Sequence, residues 1–157
     1  MKIINTGIIN KNAYIAIIIT RYNIMINKNL LKASLDIFKR LGHIPDENIT
    51  IIWVPGSYEL SYTTQLLIKK NIYDGIMVIG TIIKGITSHY KYLTQEIYTQ
   101  ISSLSILNQI PIVLCVLSTD NLEQALNRSN GKQGNKGIES ALTLLEMINI
   151  SKEITLL

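Results

Sequence analysis

The stretch Asp74-Gly75-Ile76-Met77-Val78-Ile79-Gly80-Thr81-Ile82-Ile83-Lys84-Gly85-Ile86-Thr87-Ser88-His89 decides the architecture. It opens as an apolar strand, Asp74 to Ile79, runs into Gly80, and ends where a long helical period begins. That helix, Ser88 to Leu107, sets Leu93, Ile97, Ile101 and Leu104 on one stripe. The same alternation repeats on both sides. Upstream, Ile15 to Thr20 is a β-branched run of the kind that forms strands buried on both faces. Asn29 to Leu41 then places Leu31, Leu35, Phe38 and Leu41 at helical spacing, with Gly42 as a C-terminal cap. Ile49 to Val54 is a second strand, stopped by Pro55-Gly56, and Tyr58 to Lys69 a helix whose closing lysine pair suits its negative end. Downstream, Ile110 to Leu117 is a fourth strand, and Asp120 opens a short helix with Glu123 at capping-box spacing. After the turn Asn130 to Gly134, a last helix carries Ile138, Ala141, Leu142, Leu145 and Ile148 on one stripe. Such alternation predicts a three-layer α/β/α sandwich, flavodoxin-like, with a central four-stranded parallel sheet and right-handed crossovers. Ile3 to Ile9 has no helix after it and is expected as an extra edge strand, on this sheet or on a neighbouring subunit's.

The 157 residues fit one domain, 1–157, large enough to bury a core. With 47% hydrophobic and 17% charged residues the chain is no disordered polyelectrolyte. A mean hydropathy of +0.24 predicts apolar surface set aside for subunit interfaces, although abundant Ile raises the same index through composition alone. The net charge is +4, but the basic residues are scattered, with no basic arm and no alternation with aromatics. That argues against nucleic acid and leaves anionic small molecules as ligands. The start of the chain has no apolar run followed by a small-residue cleavage site, and Tyr14 to Ile19 is too short to span a bilayer. A cytoplasmic protein without membrane partners is the expectation. A lone Cys115 excludes an intrachain disulfide and a cysteine metal cluster, and Val113-Leu114-Cys115-Val116-Leu117 marks it as a buried strand thiol.

Open parallel sheets bind ligands beyond the carboxyl ends of their strands. That rule selects Arg21-Tyr22-Asn23, Pro55 to Glu59, Gly80 to His89, and Ser118-Thr119-Asp120. The third loop is the most informative, because it ends at a helix N-terminus, where free N–H groups favour an anion. His89 lies in the first turn of that helix, and histidine is the side chain that exchanges protons near neutral pH. Each feature also has a plain reading. His89 and His43 can be solvated residues at helix ends, Tyr22 core packing, and Arg128 an exposed cation. Asn130 to Gly137 reads as a helix-to-helix turn more readily than as a phosphate loop, since it lacks the Walker pattern and a preceding strand.

Four strings taken together resemble the lumazine synthase family across essentially the whole chain. They are Ile52-Trp53-Val54-Pro55-Gly56-Ser57-Tyr58-Glu59-Leu60, Gly80 to Tyr90, Thr119-Asp120-Asn121-Leu122-Glu123-Gln124-Ala125 to Arg128, and Gly134-Asn135-Lys136-Gly137. None is decisive alone; four in register are specific. The resemblance implies a riboflavin-pathway enzyme, free of metal and organic cofactors, that joins a ribitylaminouracil to a butanone phosphate. It further implies pentamers with active sites between subunits, a sixty-subunit icosahedral shell in many members, and riboflavin synthase as a partner.

Carried over by position, Tyr22 would stack on the uracil ring. Ser57, Tyr58 and Glu59 would hold the pyrimidine and ribityl portion, and Thr81, Ile82 and Ile83 would line the ring site. Ile86 and Thr87 would bind phosphate through backbone N–H groups, and His89 would transfer protons. Leu114, Arg128 and Lys136 would come from the neighbouring subunit, with Arg128 on the phosphate. Three positions depart from the family pattern: Leu114 stands where an aromatic is frequent, Lys84 where arginine is common, and Ile86 where a smaller or acidic residue is usual. The rival readings are a non-catalytic flavin or lumazine carrier, a shell scaffold on the same fold, and an unrelated flavodoxin-like nucleotide binder. A carrier has no need of His89 or Arg128, and an unrelated binder none of the Gly134 to Gly137 turn.

Overall fold

The computed structural model describes residues 1–157. In chain order its elements are β1 (Ile15–Thr20), α1 (Ile24–Arg40), β2 (Ile49–Val54), α2 (Glu59–Ile68), β3 (Gly75–Ile83), α3 (His89–Asn108), β4 (Ile112–Thr119), α4 (Leu122–Asn130) and α5 (Lys136–Thr155). The four strands form one parallel sheet in the order β2-β1-β3-β4. This is the flavodoxin-like sandwich the alternation predicts. The order reverses between β1 and β3, and a crevice opens at such a switch point.

Side chains alternate across the sheet and build two cores. Ile15, Ile17, Ile19, Met77, Ile79 and Cys115 face α1, α4 and α5, where Leu30, Phe38, Ala125, Leu144 and Leu145 meet them. Ala16, Ile18, Ile76, Val78 and Val116 face α2 and α3, against Leu60, Ile97 and Ile101. Every residue of β1 is buried, which explains a run that is β-branched at every position but Ala16. Cys115 is a buried strand thiol; burial pushes it up to about 12, so it stays protonated at neutral pH. No helix is long and apolar enough to cross a membrane.

Several boundaries differ from the sequence reading. β3 does not stop at Ile79 but continues to Ile83, pairing Ile82 with Ser118 and Ile83 with Thr119. Gly80 sits inside it because a Cβ there would press on Ser57 Oγ at 3.3 Å, so the glycine admits the loop after β2 rather than ending the strand. α1 starts five residues earlier, at Ile24, and buries Ile26, Leu30, Ile37 and Phe38 together with polar Asn27 and Ser34. Of the expected stripe only Phe38 is fully buried, while Leu31, Leu35 and Leu41 pack at the margin of the same core. In α5 the expected Ala141, Leu145 and Ile148 are buried and Leu144 joins them, while Leu142 is partly buried and Ile138 exposed.

Caps differ too. Gly42 does not take the left-handed conformation; the next residue, His43, does, with φ 58°. Gly42 is a close approach, since a Cβ would lie 2.7 Å from Phe38 O and 2.9 Å from Leu145 Cδ2. The cap of α4 is Asn121 rather than Asp120: its Oδ1 accepts from the Gln124 N–H at 2.9 Å, and Gln124 Oε1 accepts from the Asp120 N–H at 2.8 Å. Asn130 to Gly134 is a helix-to-helix turn, closed by a bridge between Gly131 and Gly134.

The leading segment Ile3 to Ile9 adds no strand to this sheet. It lies along α5, where Thr6 Oγ1 donates to Glu146 O and Asn149 Nδ2 donates to Gly7 O and Ile9 O. Those bonds hold the segment beside a helix instead of at a strand edge.

Candidate active site

The carboxyl ends of β1, β2 and β3 open into a cleft of about 470 Å³. Tyr22 and Asn23 enter it from the loop after β1, and Gly56, Ser57, Tyr58 and Glu59 from the loop after β2. The end of β3 supplies Thr81, Ile82 and Ile83 as its floor. Gly85, Thr87 and His89 form the far rim, with Tyr90 and Leu93 of α3 behind them. Three of the four loops selected at the carboxyl ends of the strands meet in this cleft, and the fourth, Ser118-Thr119-Asp120, does not line it.

Each wall has a local reason. Tyr22 precedes Asn23, which takes a left-handed conformation (φ 57°) to start α1 and donates from Nδ2 to Thr81 O at 2.7 Å. Tyr22 is 73% exposed at the mouth of the cleft, as Tyr58 beside it is at 74%. Ser57 is buried, and Glu59 at the first position of α2 folds back so that its Oε2 accepts from the Gly56 N–H at 2.9 Å. That bond fixes the loop and leaves the other carboxylate oxygen, Oε1, for hydroxyls in the cleft.

Lys84 donates its N–H to Thr119 O, but Gly85, Ile86, Thr87 and Ser88 make no backbone N–H bond within the chain. These donors stand at the start of the twenty-residue α3, where the dipole adds a partial positive charge. Unbonded donors at a helix start are an arrangement that favours an anion. Thr87 Oγ1 accepts from the His89 N–H at 3.4 Å, and the exposed His89 side chain borders both those donors and the aromatic wall.

Four of the expected site residues, Ile86, Leu114, Arg128 and Lys136, are not among the residues that line the cleft. Leu114, in the middle of β4, is half-buried in the α2/α3 core. Arg128, near the end of α4, donates from Nη1 to Gln133 O at 2.6 Å and from Nη2 to Glu139 Oε2 at 3.0 Å. Lys136 Nζ stands 3.9 Å from the same carboxylate oxygen. The Arg128 guanidinium bonded to Glu139 holds that carboxyl below the usual range. Ile86 stands on the rim with its side chain fully in solvent, consistent with a part played by its backbone.

The chain matches the family model for 6,7-dimethyl-8-ribityllumazine synthase over residues 12–152. It is 49% identical to the 6,7-dimethyl-8-ribityllumazine synthase of Blochmanniella pennsylvanica (strain BPEN), an alignment covering 98% of both chains. It is 44% identical to the enzymes of the same name from Yersinia pestis (strain Pestoides F) and Yersinia pseudotuberculosis serotype O:1b (strain IP 31758), over 98% of this chain and 99% of theirs. This chain belongs to the 6,7-dimethyl-8-ribityllumazine synthase family. It is an enzyme of riboflavin biosynthesis, a transferase.

Lumazine synthase membership gives physical sense to the turn Gly134-Asn135-Lys136-Gly137. Gly134 has φ 87°, open to glycine at little cost. Asn135 caps α5, accepting from the Gly137 N–H at 2.8 Å while its amide donates to Ser129 O. A Cβ on Gly137 would lie 2.4 Å from Leu30 O, so α5 crosses α1 at glycine distance. The turn thereby places Lys136, Glu139 and Arg128 together on one surface. Asn23, Gly56, Gly85, Tyr90 and Leu93 join the cleft although no role was expected of them. Asn23, Gly56 and Gly85 belong to the strand-end loops already selected, whereas Tyr90 and Leu93 stand in the first turns of α3, where no sequence signal marked them.

Proposed function

We propose that this cleft condenses 5-amino-6-(D-ribitylamino)uracil with 3,4-dihydroxy-2-butanone 4-phosphate to give 6,7-dimethyl-8-ribityllumazine, with release of phosphate and water. The observation that carries the reading is the meeting of an uncovered aromatic, unbonded N–H groups at a helix start and a histidine around one cleft. Tyr22 stacks on the pyrimidine, Ser57, Tyr58 and Glu59 hold it and the ribityl chain, and Thr81, Ile82 and Ile83 line the ring. Ile86 and Thr87 bind the phosphate through their N–H groups.

The primary amine of the uracil attacks the ketone, and the carbinolamine loses water to an imine. Phosphate then leaves, and ring closure with a second dehydration completes the lumazine. Each step moves a proton, which His89 takes and returns. Departure of phosphate needs positive charge, supplied by the α3 N-terminus and an arginine. Holding both reactants in register contributes much of the rest.

Arg128, Lys136 and Leu114 stand outside their own chain's cleft, so in this reading they complete a neighbour's. The apolar surface supports such assembly: Tyr58, Tyr62 and Leu66 on the α2 side and Tyr92, Ile106 and Leu107 on α3 are all exposed. The assembly proposed is a pentamer, with twelve pentamers closing a shell, in the cytoplasm, able to hand product to riboflavin synthase. In such an assembly the leading segment Ile3 to Ile9 would exchange its bonds to α5 for pairing with a neighbouring sheet. The test is to mix purified protein with both substrates and follow lumazine absorbance. Product above the spontaneous background is the expected result; background alone contradicts the reading.

A further inference from the structure

We propose that Asn27 is a positioning residue for the cleft, its buried amide fixing the loop that carries Tyr22. The inference rests on the reading that Tyr22 stacks on the pyrimidine. Asn27 lies on the core face of α1 with its side chain fully buried. Its Nδ2 has three acceptors within reach, Tyr22 O at 2.8 Å, Thr20 Oγ1 at 2.8 Å and Thr20 O at 2.9 Å, which share its two N–H donors. Its Oδ1 accepts from Thr81 Oγ1 at 2.7 Å. One side chain thus ties the end of β1, the loop after it and the floor of the cleft into a single unit.

The Tyr22 ring touches little of its own chain, so its place is set through its main chain. The Tyr22 carbonyl has two side-chain anchors, Asn27 Nδ2 and, at 3.3 Å, Thr20 Oγ1. Thr81 is gripped from both sides, its hydroxyl by Asn27 and its carbonyl by Asn23. The Thr81 hydroxyl gives its one proton to Asn27, which ties the floor of the cleft to α1. Only a side-chain amide meets these demands, since a carboxylate has no donors and an aliphatic chain has neither function. For folding alone, an apolar residue of similar size at a buried site can be nearly neutral. The amide matters for where the Tyr22 loop stands.

The experiment is steady-state kinetics of Asn27→Leu in both substrates, with Tyr22→Ala as a control. The KM for the ribitylaminouracil should rise about tenfold, while kcat and the KM for the butanone phosphate stay within about threefold. An unmoved uracil KM, or both KM values and kcat worsening together, would overturn the inference. If Asn27→Leu does not fold, Thr20→Val decides. It removes the hydroxyl between Asn27 and the Tyr22 carbonyl and should raise the uracil KM about fivefold, with Thr20→Ser recovering most of the loss. Should Tyr22→Ala itself leave the uracil KM unmoved, the reading of the cleft fails. If Tyr22→Ala raises it and Asn27→Leu does not, only the role of Asn27 fails.

Discussion

Replacing His89 with alanine lowers kcat by about a hundred- to ten-thousand-fold, the range that a positioned proton-transfer group supplies. The expectation follows from where the side chain stands. It borders the unbonded donors of the loop before α3, faces the Tyr22 wall, and makes no hydrogen bond within the chain. It is therefore uncommitted to structure and free to serve a ligand. Alanine at the start of α3 costs the helix nothing in propensity, so the variant folds. The remaining parts of the cleft still hold both reactants, and KM values should change little. Single-turnover absorbance on the purified variant separates the outcomes. An unchanged rate of lumazine formation would remove His89 from the mechanism, and a change confined to KM would make it a binding residue.

The second large effect is structural. Gly137→Ala should destabilise the fold by about 2 kcal/mol net, an overpacking cost of about 3 kcal/mol less the gain in helix propensity. For a chain of this size that lowers Tm by about 4–8 °C. The new Cβ would lie 2.4 Å from Leu30 O, 2.9 Å from Asn135 Oδ1 and 3.0 Å from Ser34 Oγ. The first of these is backbone inside α1 and cannot swing away. Relief would also strain the bonds from Ser34 Oγ to Gly137 O and from the Gly137 N–H to Asn135 Oδ1. Alanine's better helix propensity, about 1 kcal/mol, offsets only part of this. Thermal unfolding by circular dichroism measures it. A Tm at or above that of the parent would show that α1 and α5 are not in such close contact.

The strands were legible because β1 and β3 are buried on both faces and so spell unbroken apolar runs. The loops that line the cleft were legible because ligand sites in open parallel sheets lie beyond the carboxyl ends of the strands, whereas the strand order that brings three of the four together was not. What misled the reading was polar residues in core positions and glycines used for proximity. Asn27 and Ser34 occupy the buried face of α1, so a hydrophobic stripe alone traces the helix one step off its true face. Gly80 and Gly42 look like a stop and a left-handed cap, yet both serve close approach between elements far apart in sequence. No local pattern reports such contacts. The placement of Arg128 and Lys136 has the same character: their turn is clear in the sequence, but spacing does not say whose cleft they serve.

That question decides the account, and complementation between two defective subunits answers it. His89→Ala subunits keep Arg128, and Arg128→Ala subunits keep His89. Coexpressed at equal levels in a ring with head-to-tail interfaces, they form roughly a quarter of interfaces in which both native residues meet. The account predicts lumazine synthesis at about that fraction of the parent rate, well above either variant alone. Activity no greater than the average of the two separate variants would mean that Arg128 does not act in the neighbouring cleft.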